Sequence, residues 1–316
     1  MSPAPLVETP NLKMPPGGAA EFAVMRDGAP IRIATWLPKG ARASVIILPG
    51  ATEFIEQFGE TIGELLARGN AVGIVDWRGQ GLSQRPLKDR RKRHIDSFAT
   101  YVADLREIVN SAFAKLPKPW LLLCQSMGGH IGLLVLQEKV ASFAGAVLMA
   151  PMLGIITKPW PLPVARFLTS ASCALGGSRS YILGGGSKSD FPPFERNPLT
   201  HDPNRYRRVF ELIAAEPWLD VGSPTFGWLE AAFRSMDALA RAKAGRAIDV
   251  PALVIACGED SVVENPAIEA MAARLPRGRL ALFAGARHAI LLESDLVRAA
   301  FWKEYDAFVA ELMRSV

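Results

Sequence analysis

Short apolar runs bounded by turn residues recur along this 316-residue chain and constrain its fold more than any other feature. Runs of this length and composition are typical of buried β-strands. They occupy residues 31–37, 44–48, 71–75, 120–124, 146–149, 252–257 and 280–283. Helix-length segments, including 54–68 and 97–116, separate several of them. This alternation predicts an α/β fold with a mostly parallel central sheet flanked by helices.

The alternation of strands and helices stops after Pro151 and returns about a hundred residues later. The stretch between contains Pro-rich and Gly-rich segments, which are typical of irregular lid structure. We therefore predict one α/β core in two parts, 1–153 and 250–316, with a helical cap inserted at 154–249. A single α/β unit of this length is common.

The bulk composition disfavours several classes of protein. Three cysteines, at positions 124, 173 and 257, are odd in number and far apart, so no disulfide framework is implied. No stretch approaches the roughly 18 uninterrupted apolar residues of a membrane-spanning helix. The N-terminus also lacks the basic and apolar pattern of a signal peptide. These features predict a cytoplasmic protein.

Most of the excess positive charge lies in one basic run, residues 88–94, within a chain of net charge +5. Basic runs favour anionic partners, but one that follows a Gly-rich turn is typical of a solvated loop. We therefore expect no nucleic-acid partner. Transient, peripheral contact with a membrane surface stays open, because the apolar stretch at 155–168 and the basic run could both face lipid.

The stretch 120–130 predicts a catalytic nucleophile. An apolar strand runs directly into Ser126, and a helix-forming segment follows it. In such a nucleophile elbow the serine hydroxyl projects into a cleft above the sheet, and the residues two before and two after it must be small. Gly128 meets this requirement. Cys124 stands where glycine is usual, but its side chain is still small.

A serine hydroxyl needs a general base, and the base needs an acid that orients it. Among four histidines, His288 follows the strand at 280–283, at the end of the sheet where ligand-binding loops collect. The acid is expected after a strand that lies between the serine and the histidine. Asp260 follows the strand at 252–257, with Glu259 as its rival.

The reaction also needs groups that stabilise an oxyanion, most often two backbone N–H groups. Met127, directly after the serine, is expected to provide one. Ala51 is expected to provide the other, because Gly50 lets the loop at 49–53 turn toward the cleft. The turn at 76–83 does not match a phosphate-binding loop and is interpreted as structural. No cofactor or metal is implied, because no histidine or cysteine pairs stand at ligand spacing.

Four motifs together resemble the monoacylglycerol lipase and lysophospholipase branch of the α/β-hydrolase superfamily. They are the oxyanion loop at 49–54, the Asp-x-Arg-Gly-x-Gly-x-Ser turn at 76–83, the elbow at 126–129 and the histidine loop at 285–293. Through 197–202 and 224–232, the insertion is similar to the cap of bacterial lysophospholipase L2-like proteins. Cys124, and Pro49 in place of a frequent histidine, depart from the family pattern.

The motifs and the resemblance together predict a cofactor-independent serine hydrolase that uses Ser126, His288 and Asp260. The resemblance implies that its substrates are carboxylic esters with one acyl chain, either lysophospholipids or monoacylglycerols. A thioesterase or a small-ester carboxylesterase would use the same three residues. A non-catalytic binding protein could also retain the fold, because fold alone does not dictate function.

Overall fold

A computed structural model describes residues 1–241 and 245–314, and the described residues form one nine-stranded sheet. The strands are β1 (Ser2–Pro3), β2 (Gly18–Val24), β3 (Pro30–Trp36), β4 (Ser44–Leu48), β5 (Ala71–Val75), β6 (Trp120–Gln125), β7 (Gly145–Met149), β8 (Ala252–Cys257) and β9 (Gly278–Phe283). Their order across the sheet is β1-β2-β3-β5-β4-β6-β7-β8-β9. The pairings from β5 through β9 are parallel, whereas β1, β2 and β3 are antiparallel to their neighbours.

Helices follow most of the parallel strands and cover the sheet. They are α1 (Gly59–Ala67), α2 (Phe98–Asn110), α3 (Met127–Gln137), α4 (Leu162–Ala174), α5 (Pro203–Ala215), α6 (Phe226–Ala240), α7 (Asn265–Ala272) and α8 (Asp295–Arg314). Every residue of β4 to β8 is buried. Because both faces of these strands are covered, their sequences are continuously apolar instead of alternating. The predicted α/β-hydrolase fold is confirmed.

The edges of the sheet differ from the sequence-based expectation. We expected a buried strand at 280–283, but β9 is an edge strand in which Leu280 and Leu282 are 42% and 62% exposed. Exposed and half-buried residues alternate along β9, so one of its faces is open to solvent and its apolar run was misinterpreted as buried. β2 was not predicted at all, because its sequence, Gly-Ala-Ala-Glu-Phe-Ala-Val, lacks a clear apolar run.

The segment 154–249, called the cap below, joins β7 to β8. Its described residues contain α4, α5 and α6 with short 3-10 turns, and none of the nine strands. The division of the chain at 153 and 249 stays a prediction. Residues 242–244 of the cap and 315–316 of the second core part lie outside the described residues.

The basic run at 88–94 is solvated only at its beginning, because its later side chains contact the cap. Arg91 pairs with Asp220 at 2.6 Å, and Arg93 pairs with Asp190 at 3.1 Å. The guanidinium of Arg90 also lies over the ring of cap residue Trp218. His94 is buried and contacts Thr225 Oγ1 at 2.7 Å. The expectation of a freely solvated loop was therefore wrong. The later residues of the run form a contact between the core and the cap.

Candidate active site

Ser126 lies at the sharp turn between β6 and α3, with φ 51° and ψ −113°. A positive φ is unusual for a residue with a Cβ and costs about 1–3 kcal/mol. Backbone hydrogen bonds hold the turn on both sides: Ser126 N–H donates to Met149 O at 2.9 Å, and Met152 N–H donates to Ser126 O at 3.0 Å. The strained turn places the hydroxyl at the carboxyl end of the sheet, as the elbow motif predicts.

The glycines after Ser126 are required by close packing. A Cβ on Gly128 would lie 1.9 Å from Leu48 O, and a Cβ on Gly129 would lie 2.8 Å from Pro151 Cβ. The first of these contacts is with backbone that is already fixed in β4, so it cannot be relieved by a side-chain movement. The requirement for a small residue two positions after the serine therefore has a direct steric cause.

Cys124 fits at the position where glycine is usual because the facing helix has a glycine of its own. A Cβ on Gly132 of α3 would lie 2.8 Å from Cys124 Sγ. The thiol is fully buried, and burial raises its pKa far above the usual range. Cys124 is therefore a neutral packing residue, and Gly132 provides the space for its sulfur.

This pair predicts a reversal in the effect of one substitution. Gly132→Ala should lower the free energy of unfolding by about 1–3 kcal/mol through overpacking. In a Cys124→Ala background the same substitution should raise it by up to about 1 kcal/mol, because alanine favours a helix more than glycine does. Urea unfolding of the four proteins measures both effects. Equal effects in the two backgrounds would show that the sulfur does not restrict position 132.

The structure brings Ser126, His288 and Asp260 into one hydrogen-bonded chain. His288 Nε2 lies 2.8 Å from Ser126 Oγ, and His288 Nδ1 lies 2.7 Å from Asp260 Oδ2. The other carboxylate oxygen, Asp260 Oδ1, accepts the N–H groups of Val262 and Val263 at 2.8 and 3.0 Å. The Asp260 side chain is completely buried. The carboxylate is thus fixed by backbone donors on one side and by the imidazole on the other.

The alternative candidates occupy other environments. Glu259 contacts His201 at 3.1 Å, and its side chain is 53% exposed. His130 is fully buried against Ser235 Oγ at 2.7 Å, and burial lowers its pKa to about 4, so it is neutral. His94 belongs to the contact between core and cap. Of the two rival carboxylates, Asp260 contacts His288, whereas Glu259 contacts His201.

The turn at 76–83 donates hydrogen bonds to the loop that contains Ala51. The sequence had indicated only a structural turn there, without a link to the site. Gln80 Nε2 donates to the carbonyls of Gly50 and Glu53 at 2.7 and 2.8 Å. Trp77 Nε1 donates to Pro49 O at 2.8 Å. The Asp-x-Arg-Gly-x-Gly-x-Ser pattern of this turn, already noted among the family motifs, was the available signal for this role.

Glu53 completes the support of the same loop, because its carboxylate accepts the N–H of Gly50. Removal from water raises the pKa of Glu53 to about 7, opposed by the Gly50 hydrogen bond and by the nearby His288. A Cβ on Gly50 would lie 3.0 Å from Glu53 Oε2 and 3.2 Å from Ser126 Cβ. Gly50 therefore lets the carboxylate and the serine approach from opposite sides.

An apolar pocket of about 390 Å³ opens beside Ser126 and His288. Most of its wall comes from the cap. The apolar wall includes Ile155, Ile156, Leu168, Phe191, Leu199, Phe226, Trp228 and Leu229. Ala51 also lies on the wall, whereas Met127 is fully buried. In the part of the chain that the structure describes, no three histidine, cysteine, aspartate or glutamate side chains are placed to hold a metal ion.

The sheet order and the serine at the turn after β6 define a protein of the α/β-hydrolase class. Residues 39–295 match the family described as serine aminopeptidase, S33, and the chain belongs to this family of hydrolases.

Relatives with known names agree with this assignment. The chain is 32% identical to lysophospholipase L2 of Escherichia coli over 291 residues, which are 89% of this chain and 84% of that protein. It is 29% identical to monoglyceride lipase of Rattus norvegicus over 185 residues, 56% of this chain and 58% of that one. The crystal structure of a soluble variant of monoglyceride lipase from Saccharomyces cerevisiae has a TM-score of 0.72 at 18% identity, covering 93% of this chain and 96% of that chain. The resemblance stated from the motifs is confirmed.

Proposed function

We propose that this protein hydrolyses carboxylic esters of lipids with one acyl chain, lysophospholipids or monoacylglycerols, through a covalent acyl-enzyme on Ser126. The observation that supports this most is the 2.8 Å contact between Ser126 Oγ and His288 Nε2 beside a large apolar pocket. The apolar wall suits an acyl chain, and the hydrogen-bonded pair suits attack on an ester carbonyl. The names of the E. coli and rat relatives support the same substrate class.

The proposed reaction proceeds in two halves. Ser126 Oγ attacks the ester carbonyl carbon while His288 Nε2 takes the hydroxyl proton, and Asp260 stabilises the imidazolium. The ester C–O bond then breaks, and His288 returns the proton to the leaving alcohol. A water molecule, deprotonated by His288, then attacks the acyl carbon of the acyl-enzyme. The bond between that carbon and Ser126 Oγ breaks, His288 returns the proton to Oγ, and the fatty acid is released.

We propose that the backbone N–H groups of Ala51 and Met127 hold the oxyanion that forms in each half. Met127 begins α3, where the helix dipole favours negative charge. Among the described residues, neither N–H group donates to another protein atom. Both donors are therefore available, and the hydrogen bonds of Gln80 keep the Ala51 loop in its conformation.

Gln80→Leu is expected to lower kcat by about 10- to 100-fold, because a loosened loop weakens one oxyanion donor. KM should change by less than about threefold, because Gln80 does not line the pocket. Steady-state kinetics with a soluble ester measures both constants. A loss confined to KM would show that Gln80 shapes substrate binding and does not act on the oxyanion loop.

The function is tested by labelling and by a substrate panel. A fluorophosphonate should react with the folded protein at Ser126 and not with Ser126→Ala.

The substrate panel compares a monoacylglycerol, a lysophospholipid, a short nitrophenyl ester, an acyl thioester and an amino-acid nitroanilide. Preference for the thioester or the short ester would support the alternatives named above, and preference for the nitroanilide would support a peptidase. A folded protein that is neither labelled nor active would be a non-catalytic binding protein.

We propose that the outer face of α4 contacts a lipid surface when substrate is taken up. Val164 and Phe167 of α4, and Leu175 directly after its last residue, are 39%, 71% and 88% exposed at a helical spacing that places them on one side. Ala165, Leu168 and Thr169 face the pocket instead. No helix among the described residues is long and apolar enough to cross a membrane. A cytoplasmic location and the lack of a nucleic-acid partner stay predictions.

Replacing both Phe167 and Leu175 by serine is expected to lower the fraction of protein bound to phosphatidylglycerol vesicles by about tenfold. The reason is that two exposed apolar side chains no longer enter the lipid. Co-sedimentation measures that fraction. Leu296→Ser is a matched control, because Leu296 is 83% exposed on α8 of the core. Binding that is equal in all three proteins, or absent in the native one at low salt, would remove this proposal.

A further inference from the structure

A short piece of the cap, residues 197–202, lies against the loops that follow β8 and β9; we call it the strap. These two loops contain Asp260 and His288. We propose that the strap is a positioning element of the catalytic site, in which His201 joins the loop of His288 to the loop of Asp260. This inference rests on the proposed function, because it concerns the geometry of the proposed base and acid.

Asn197 gives the strap its fixed shape. Its side-chain oxygen accepts the N–H groups of Leu199 and Thr200, both at 2.9 Å, and its Nδ2 donates to Phe194 O at 2.7 Å. Asn197 is buried. An asparagine that caps two successive N–H groups in this way holds a tight turn without a helix or a strand.

The strap binds the histidine loop by backbone hydrogen bonds around His288. Ala289 N–H donates to Leu199 O at 2.9 Å, and His288 N–H points at Pro198 O at 3.4 Å. Thr200 Oγ1 donates to Leu292 O at 2.7 Å, farther along the same loop. The backbone that bears the proposed base is therefore paired with cap residues.

Glu293 forms a buried junction between the strap and the histidine loop. Its Oε1 accepts the N–H of Arg287 and lies opposite His201 Nδ1, both at 2.9 Å, while its Oε2 accepts the N–H of His201 at 3.0 Å. The carboxylate is completely buried. Because unpaired buried carboxylates are costly, this arrangement holds the strap and the loop together strongly.

The second ring nitrogen of His201 reaches the acid loop. His201 Nε2 lies 3.1 Å from Glu259 Oε2, and Glu259 directly precedes Asp260. An ionised carboxylate only accepts hydrogen bonds, so both contacts of the imidazole are satisfied when both ring nitrogens carry a proton. One side chain of the cap thus connects the neighbours of the proposed base and the proposed acid.

Such a connection affects the chemical step more than substrate binding. A displacement of about 1 Å in a catalytic group can cost on the order of 100-fold in rate. His201 does not line the pocket, so its loss leaves the apolar wall in place. We therefore expect a change in kcat with little change in KM.

Three substitutions of His201 separate its two contacts. His201→Ala removes both and should lower kcat about 10- to 100-fold. His201→Asn places an amide nitrogen near the Nδ1 position and should keep the bond to Glu293, whereas His201→Gln places one near the Nε2 position and should keep the bond to Glu259. We expect asparagine to restore more of kcat than glutamine, because Glu293 also accepts the N–H of Arg287 beside His288.

Kinetics with a soluble ester, the rate of fluorophosphonate labelling and urea unfolding are measured for each variant. Arg166→Ala is the matched control. It breaks an ion pair within the cap, in which Arg166 lies 2.8 Å from Asp237, and neither residue belongs to the strap or to the loops of Asp260 and His288. A fall in kcat and in labelling rate, with KM within about threefold and partial rescue by asparagine, supports positioning. Native kcat in His201→Ala, or a loss as large in Arg166→Ala, overturns it.

Two further results are decisive. If His201→Ala does not fold, the asparagine and glutamine variants decide the question, and equal kcat in these two and the native protein overturns the inference. If the native protein is neither labelled nor active, the proposed function itself fails. An active native protein with unaffected variants removes only the role of the strap.

Discussion

Ser126→Ala is expected to lower ester turnover by roughly 10⁴- to 10⁶-fold while the protein stays folded. The substitution removes the oxygen that lies 2.8 Å from His288 Nε2 and leaves the backbone of the elbow unchanged. Turnover of a nitrophenyl ester, together with urea unfolding, measures both quantities. Retention of more than about 1% of native turnover would show that another residue is the nucleophile.

Ser126→Gly provides a control that separates chemistry from strain. It should be as inactive as the alanine variant, because it also lacks the hydroxyl. It should be more stable than the alanine variant by about 1 kcal/mol, because glycine adopts the positive φ of this turn without the cost that a Cβ imposes. Equal stability of the two variants would mean that the elbow stores no measurable strain.

Asp260→Asn is expected to lower kcat by about 10⁴-fold. An asparagine has one acceptor oxygen where aspartate has two. If this oxygen accepts from His288 Nδ1, the amide NH2 group faces the N–H groups of Val262 and Val263, which are also donors. If it accepts from those two N–H groups, the amide NH2 group faces His288 Nδ1 instead. The imidazole consequently loses its orientation or its preferred tautomer.

Glu259→Gln is the matched comparison for Asp260→Asn, because the two carboxylates are adjacent in sequence. We expect it to lower kcat by less than about tenfold, since it acts only through His201. Initial rates at saturating substrate measure both variants. The opposite ranking would identify Glu259 as the acid and contradict the assignment of Asp260.

Much of the fold could be predicted from the sequence because the central strands are buried on both faces. β4 to β8 are therefore short and continuously apolar, and this pattern is local. The elbow was also visible locally, because its strand, serine, glycines and helix are contiguous. His288 and Asp260 could be proposed as base and acid because parallel strands place the loops at their carboxyl ends side by side.

The supporting contacts of the site could not be predicted in the same way. Gln80 supports a loop about thirty residues earlier in the chain, and Glu293 meets a strap about ninety residues before it. Glutamine and glutamate are common on protein surfaces, so the residue type alone does not indicate a buried, hydrogen-bonded contact. Cys124 had appeared as a departure from the family pattern, and its explanation lies in Gly132 on the facing helix.

The contact between the basic run and the cap affects how the molecule opens. The cap is inserted after β7, yet Arg91 and Arg93, which precede α2, hold it through Asp220 and Asp190. Releasing the cap as one rigid lid would leave Asp220 and the mostly buried Arg93 without their charged partners, which is costly. Access for a long acyl chain is therefore expected through small movements of the pocket wall. Heating should unfold cap and core in one cooperative transition.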